Sequence, residues 1–543
     1  MYRLFLFVPL FFLSCMKGIK VDLVVYNARI HVMDDNNTIA QAMAIRDGKI
    51  IEVGPERQII NKYSYDEEID AGGRDVFPGF TDAHGHLFSY AAQRLTVDLT
   101  GSKSMEEIMV RCEKFAGRND SKFLIGRGWD QAVWNSNELP DKTLLDKVFP
   151  TIPVCLYRVD GHAVLVNSVL LKKAKIDANT RVVGGEILMN ENEPTGILVD
   201  NAIQLVEPFL PKPSDKKIEK EMEAIQRELL QYGITGVHEA GVTHHQLRLL
   251  QKWCKKKTWN IDVYAMLMDG SANREFAKKG PYFQRHLTVR SFKVFTDGAL
   301  GSRGALLKKP YSDATHTHGL KLVTTENLED LATFCLKHNY QMNAHAIGDS
   351  ANRLLLKICE RVFKTNADHR FRIEHAQVVD PIDFKLFSDY AVFPSVQPTH
   401  AVSDMRWAAN RIGKERLAGA YAYQTLLNQY GMIALGTDFP VEAINPFLTI
   451  HAAVHRKNAD GQPIDGFLPK EKLTLTQTLK GMTIWPAFAA FEEGKKGTLE
   501  KGKVATFAIF VKPVNAPEAF VPNFAWKTIV KGKVVYAADE LVK

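Results

Sequence analysis

Cysteine is scarce in this chain, with 6 in 543 residues. The five that follow Cys15 (Cys112, Cys155, Cys254, Cys335 and Cys359) are odd in number and show no CxxC spacing. That excludes a disulfide scaffold or a zinc finger and leaves small buried thiols as the reading. Long apolar runs are missing too. Nothing reaches the roughly 20 residues that span a bilayer as a helix. Charge of one sign is also lacking, because 69 Lys and Arg face 62 Asp and Glu, a formal balance of +7. The basic residues are scattered, in clusters no longer than Lys255 to Lys257, so a nucleic-acid partner is not expected. Repeats and low-complexity tracts are absent as well. What remains, 45% hydrophobic and 24% charged, is the composition of a globular protein with a large core. Its length fits a barrel with insertions plus a smaller module.

Residues 1–18 stand apart. Arg3 precedes an apolar run from Leu4 to Leu13, followed by Ser14 and Cys15, and the run has the length of an export-signal h-region. Phe12-Leu13-Ser14-Cys15 resembles a bacterial lipoprotein processing site, with Phe12 where a smaller aliphatic residue is usual. The expectation is an exported protein of a bacterium, anchored on the periplasmic face through lipid on Cys15. A plain signal peptide or an uncleaved anchor is the other reading.

Both ends of the remaining chain are β-rich. Val21 to Val32 and Ala42 to Val53 near the start, with Asp47-Gly48 as a turn, match Ala505 to Val511 and Thr528 to Tyr536 near the end, with Lys531-Gly532 as a turn. Neither end can bury a core alone. Residues 19–75 and 485–543 are therefore expected to form one composite β-sandwich. Between them, apolar strands alternate with helical patterns, as in βα units. Eight candidates arise: Val76–His84, Ile234–Ala240, Ile261–Met268, Ser291–Asp297, Gln341–His345, Arg372–Gln377, Ala391–Gln397 and Met432–Asp438. Eight strands close a (β/α)₈ TIM barrel, here over 76–484. The long gap after the first, about 95–225, carries its own strand-like runs, Phe123–Gly126 and Val154–Tyr157, and is expected to be an inserted subdomain.

The chemistry gathers at strand ends. Val76–His84 runs into His84-Gly85-His86, and residues i and i+2 of a strand share a side, so both imidazoles can reach one metal ion. His345, His375 and Asp438 each stand at the C-terminal tip of an apolar strand, the face where barrel enzymes keep their sites. Any one of them reads best as a hydrogen-bonded core residue, but four such strand ends together point to a metal site. Lys293 lies within Phe292-Lys293-Val294-Phe295, where an unpaired ammonium is costly to bury. Metal proximity depresses an amine pKa, and a neutral amine can take up carbon dioxide as a carbamate able to bridge two zinc ions. The alternative is a lysine that reaches a carboxylate such as Asp297.

These residues, in this order, resemble the amidohydrolase superfamily, and more closely its family 3 branch, which includes the N-substituted formamide deformylases. The resemblance rests on Phe77–Leu87, Lys293–Arg303, His345-Ala-Ile-Gly-Asp349, Arg372-Ile-Glu-His-Ala-Gln377, Gly436-Thr-Asp-Phe-Pro440 and Lys496–Lys503. It implies that His84, His86 and Asp438 hold one metal, that His345 and His375 hold a second, and that carbamylated Lys293 bridges them. Zinc suits such ligands best, as one ion or two, with other divalent transition metals able to substitute. One departure is Thr506, where the family often has aspartate.

The implied reaction is metal-dependent hydrolysis of a non-peptide C–N bond in an amide, a cyclic amide or a formamide, with Asp438 as general base and acid. Arg158-Val-Asp-Gly-His162 and Gly128-Trp129-Asp130 resemble motifs near the substrate. They make His162 a candidate for the carbonyl or oxyanion; Trp129 with Trp134 is a candidate aromatic wall, with core, the commoner use of aromatic residues, as the other reading. His238, at the end of the second strand, and His400, after the seventh, are candidate pocket residues. The expected partner is a small-molecule substrate, and an oligomer, if one forms, is expected to be a homodimer. Two other readings stand beside this one: a mononuclear deaminase, against which Lys293 argues, and a binding lipoprotein that has lost catalysis.

Overall fold

The computed structural model describes residues 18–119, 122–131, 134, 139–159, 163–182, 185–363, 368–515, 517 and 519–538. Cys15 and His162 lie outside them. The chain divides into two compact units, one formed by the chain up to His86 with Gln226–Lys543, the other by Leu87–Ile225.

In the first unit eight parallel strands follow one another around a barrel: β1 (Phe80–Gly85), β2 (Ile234–Val242), β3 (Asp262–Met268), β4 (Leu287–Phe295), β5 (Gln341–Ala346), β6 (Arg372–His375), β7 (Phe393–Val396) and β8 (Ala434–Leu435). Every residue of β1, β6, β7 and β8 is buried, as a parallel sheet covered on both faces requires. The ring is drawn together between β8 and β1 by two backbone bonds. Asp438 N–H donates to the His84 carbonyl at 2.7 Å, and His86 N–H donates to the Phe439 carbonyl at 2.9 Å. Closure thus falls on the residues singled out for chemistry.

One expected strand proves to be two. Asp75–Pro78 pairs with Arg29–His31 and Phe507–Phe510 in the sandwich, and Phe80–Gly85 belongs to the barrel. The division is at Gly79, whose N–H bonds to the Thr506 carbonyl, whereas the next amide, Phe80 N–H, already bonds to Gly233. A continuous apolar run hides this, because both segments are buried and periodicity cannot tell one sheet from another.

The sandwich joins both chain ends. Its six-stranded sheet contains Asp75–Pro78 and Arg29–His31 together with Phe507–Phe510, Ala525–Val530 and Lys533–Ala537. The other sheet has four strands, all from the start of the chain. Leu23, Val25, Ile45, Ile50 and Val76 pack with Leu499, Phe507, Ile509 and Ile529 in one buried cluster, so neither end is a domain without the other. The two-residue turns at Asp47-Gly48 and Lys531-Gly532 have positive φ at both positions, the geometry that matches strand twist in a hairpin.

The second unit has its own six-stranded sheet, ordered Gly185–Asn190, Glu193–Asp200, Ala163–Val166, Val154–Arg158, Leu124–Trp129 and Val97–Asp98. Two buried clusters, one around Leu124 and Trp129 and one around Val164 and Leu170, supply its core. Cys112, Cys155, Cys254, Cys335 and Cys359 are buried free thiols. No helix among the described residues is long and apolar enough to cross a membrane.

Candidate metal centre

The C-terminal ends of the barrel strands bring together His84, His86, Lys293, His345, His375 and Asp438. His86 Nε2 lies 3.0 Å from Asp438 Oδ1, and His84 Nε2 lies 3.7 Å from the same oxygen. One ligand atom from each of His84, His86 and Asp438 falls within 4.8 Å of the others, and the same holds for His375, His400 and Asp438. Asp438 belongs to both groups. Lys293 Nζ stands 3.1 Å from His84 Nε2 rather than against Asp297. The His345 and His375 rings meet at 4.6 Å between centroids, and His345 Nε2 is 3.7 Å from Asp297 Oδ1.

The donor set fits a cation. His345 Nε2, His400 Nε2 and Asp438 Oδ1 are buried and make no hydrogen bond among the described residues, although nitrogens crowd the carboxylate. Polar atoms left unpaired in a protein interior are costly. Atoms that converge at 3–4 Å without hydrogen-bond geometry are arranged as ligands of a shared ion are. Burial pushes His84 down to about 4 and His345 down to about 3, with the Lys293 charge adding to both, so both imidazoles are neutral near pH 7, the form that ligates a metal. Burial also lowers Lys293 to about 8, within reach of the neutral amine a carbamate requires. For Asp438 burial works against ionisation, but His86, His84 and His375 around it hold the carboxyl well below its ordinary range.

A second layer aims these ligands. His84 Nδ1 contacts Glu374 Oε2 at 2.6 Å, which leaves Nε2 facing the cluster. His375 Nδ1 is held in the same way by Gln397 Oε1 at 2.7 Å. Partners of this kind fix the tautomer and the ring plane of a metal-binding histidine. Glu374 in turn pairs with Arg372, Nε to Oε1 at 2.8 Å and Nη2 to Oε2 at 3.0 Å, and all of these side chains are buried. Arg372 also reaches Ser395 Oγ, the Ala83 carbonyl and His238 Nδ1. Asp82 locks the closing strand by accepting from Thr437 N–H, Thr437 Oγ1–H and His84 N–H, and burial raises it to about 6.

Two glycines make room. A Cβ on Gly436 would stand 2.5 Å from His84 N, and one on Gly85 would stand 2.3 Å from the Phe439 ring. His375 and Asp438 themselves have positive φ, +72° and +62°. Non-glycine residues hold such angles where surrounding structure fixes them, and functional sites are where they gather.

The secondary candidates separate. His400, on helix Pro398–Asp404, stacks on His375 with centroids 5.8 Å apart and has Nε2 3.6 Å from Asp438 Oδ2. It is thus a potential ligand as well as a pocket residue. His238 is buried against Arg372 and the Tyr264 ring. Trp129 is a correction: its ring is fully buried in the second unit's core and its N–H donates to the Leu156 carbonyl at 2.8 Å, so it is no exposed wall. Trp134 joins the same core. Sequence reasoning gave no role to Glu374, Gln397 or Arg372. The signal it had was a charged or amide side chain inside an apolar strand, the same oddity that drew attention to Lys293. Asp297 orders the loop after β4 by accepting from Leu306, Ile347 and Gly348 N–H, and Arg303 pairs with Asp313.

Residues 67–536 match the Amidohydrolase family. The chain is similar to the protein LONG AFTER FAR-RED 3 of Arabidopsis thaliana, 33% identical over 96% of this chain and 92% of that one. It is similar also to the N-substituted formamide deformylase of Arthrobacter pascens, 25% identical over 90% of this chain and 93% of the other. Among solved structures, an uncharacterized metal-dependent hydrolase from Pyrococcus horikoshii superposes with a TM-score of 0.75 at 28% identity, covering 90% of this chain and 96% of its own.

Proposed function

This chain belongs to the amidohydrolase family, a family of metal-dependent hydrolases, and from that premise we propose that it hydrolyses a non-peptide C–N bond in an amide, a cyclic amide or an N-substituted formamide. The carrying observation is Asp438, a buried carboxylate that faces His84 and His86 on one side and His400 on the other, with Oδ1 free of any hydrogen bond among the described residues. His84, His86 and Asp438 would hold one divalent metal, and His345 and His375 a second, with carbamylated Lys293 as a further ligand; bound there, the metal would supply Lewis acidity toward the scissile carbonyl and acidify water. Zinc is the expected ion.

The chain's own groups do the rest. Asp438, ionised at neutral pH and placed between His86 and His400, is the group positioned to take the proton of the attacking water and pass it to the leaving nitrogen. His400, with Nε2 unpaired and close to Asp438 Oδ2, is placed to follow that proton or to steady the carboxylate. Glu374 and Gln397 keep His84 and His375 in one tautomer. His162, outside the described residues, is the proposed donor to the developing oxyanion.

The test is a panel of N-substituted formamides, N-acyl amines, cyclic amides and amino-heterocycles, run with metal-depleted and zinc-restored protein. Cleavage of an amide-type substrate, lost on depletion and regained with zinc, is the expected result. Ammonia release from amino-heterocycles with no amide cleavage would replace this reading with the deaminase. We propose further that the chain is exported and lipidated at Cys15. Labelling with a radioactive fatty acid should mark the wild type and leave Cys15→Ala unmarked.

A further inference from the structure

Asp262 begins β3 and Leu287 begins β4, so both lie at the N-terminal end of the barrel, away from the histidines. A cavity of about 410 Å³ opens there, lined by these strand starts and by Val504, Thr506 and Lys531 of the sandwich region. It is within the size range of small-molecule sites.

The charges on its walls do not balance. Among the described residues, Arg285, Lys495, Lys496 and Lys531 face Asp262 and Glu492 alone. Both carboxylates are already engaged. Asp262 contacts His286 Nδ1 at 2.7 Å and Lys496 Nζ at 3.3 Å, and Glu492 takes the same lysine and the Thr288 hydroxyl. Three cations are left over. Lys531 is half-buried, and its Nζ donates to the Arg285 carbonyl at 3.1 Å and to no carboxylate among the described residues. Burial, which Asp262 only partly offsets, lowers its pKa, the mark of an ammonium short of a counter-charge. Arg285 and Lys495 are exposed beside it, likewise without a carboxylate among the described residues. Two further features suit an organic ligand. His286, 2% exposed, lines the cavity with Nε2 unpartnered, and Phe283, 59% exposed, presents its ring on the wall with Lys495 Nζ 5.8 Å from its centroid.

We propose that this cavity binds a small organic anion, with a phosphate or carboxylate on Arg285, Lys531 and Lys495 and a planar ring against Phe283. Charge-assisted hydrogen bonds supply the affinity and the exposed ring supplies preference for an aromatic body. The site is independent of the hydrolytic reading, because none of its residues touches the metal cluster.

Phenyl phosphate is the probe, titrated calorimetrically into the metal-loaded full chain, with inorganic phosphate and phenol as controls. Phenyl phosphate should bind more tightly than either control. Arg285→Gln, Lys495→Gln and Lys531→Gln should each weaken it by about tenfold, and Phe283→Ala should erase its advantage over inorganic phosphate. Arg285 and Lys495 are exposed, so their variants report even if Lys531→Gln fails to fold. His86→Ala should leave binding unchanged. Absence of binding would overturn the proposal. So would binding that survives the Arg285 and Lys495 changes but is lost in His86→Ala, since the probe would then be at the metal centre.

Discussion

Two buried aspartates divide this molecule into a region built for stability and a region built for chemistry. Asp75, in the sandwich, is 2% exposed, and its oxygens are engaged by Arg29, His31 and the Val514 N–H. Asp438, at the barrel's strand ends, is 6% exposed and surrounded by imidazoles, and its Oδ1 makes no hydrogen bond among the described residues. Both carboxyls are held below their ordinary range, but for different reasons. Asp75 has a complete set of partners from the folded chain. Asp438 has imidazole nitrogens converging on it at 3.0–3.7 Å, an arrangement that a shared cation would complete. Depressed proton affinity alone does not separate the two; the fate of the lone pairs does.

That contrast can be broken at four points. Asp438→Asn should cut kcat by about 10³-fold or more at saturating metal while the fold persists, since it removes the proton carrier; steady-state kinetics and circular dichroism read both. Glu374→Ala should destabilise the chain by about 3–5 kcal/mol, because it strands Arg372 inside the barrel without its carboxylate. Glu374→Gln, which keeps the shape, should instead weaken metal binding by about 10–100-fold in a chelator competition. Asp75→Asn should cost about 2 kcal/mol in urea unfolding and leave metal content unchanged.

Acid sharpens the last point. Asp75 has a folded pKa below its unfolded value of about 3.9, so its contribution is fully present above that value and is lost as pH falls through it toward the folded pKa. Wild type should therefore lose, below about pH 4, a part of its stability that Asp75→Asn never had. An Asp75→Asn protein with reduced metal content would erase the distinction between the regions.

The barrel was legible because each of its strands is a short apolar run, and the ligand candidates because each stands at the tip of one. His84, His86, His345, His375 and Asp438 announce themselves in this way, and Lys293 does so by being a charge inside a strand. What pattern could not supply was sheet membership and partnership. Val76–His84 reads as one strand because both of its halves are buried, yet Gly79 sends them to different sheets. His400 sits on a helix three residues after Gln397, where no periodicity marks it as a neighbour of Asp438. Glu374 and Gln397 touch histidines 290 and 22 positions away, contacts that exist only once the barrel is closed. For Trp129, wall and core were both open in the sequence, and it packs in a buried cluster.

The most direct measurement is the metal content of chelator-free protein by elemental analysis, for wild type and Lys293→Ala side by side. The account predicts roughly two zinc ions per chain in the wild type, falling toward one or none in the variant. About one metal in both proteins would contradict the bridged centre, and metal-free wild type of unchanged stability would contradict the reading of Asp438 itself.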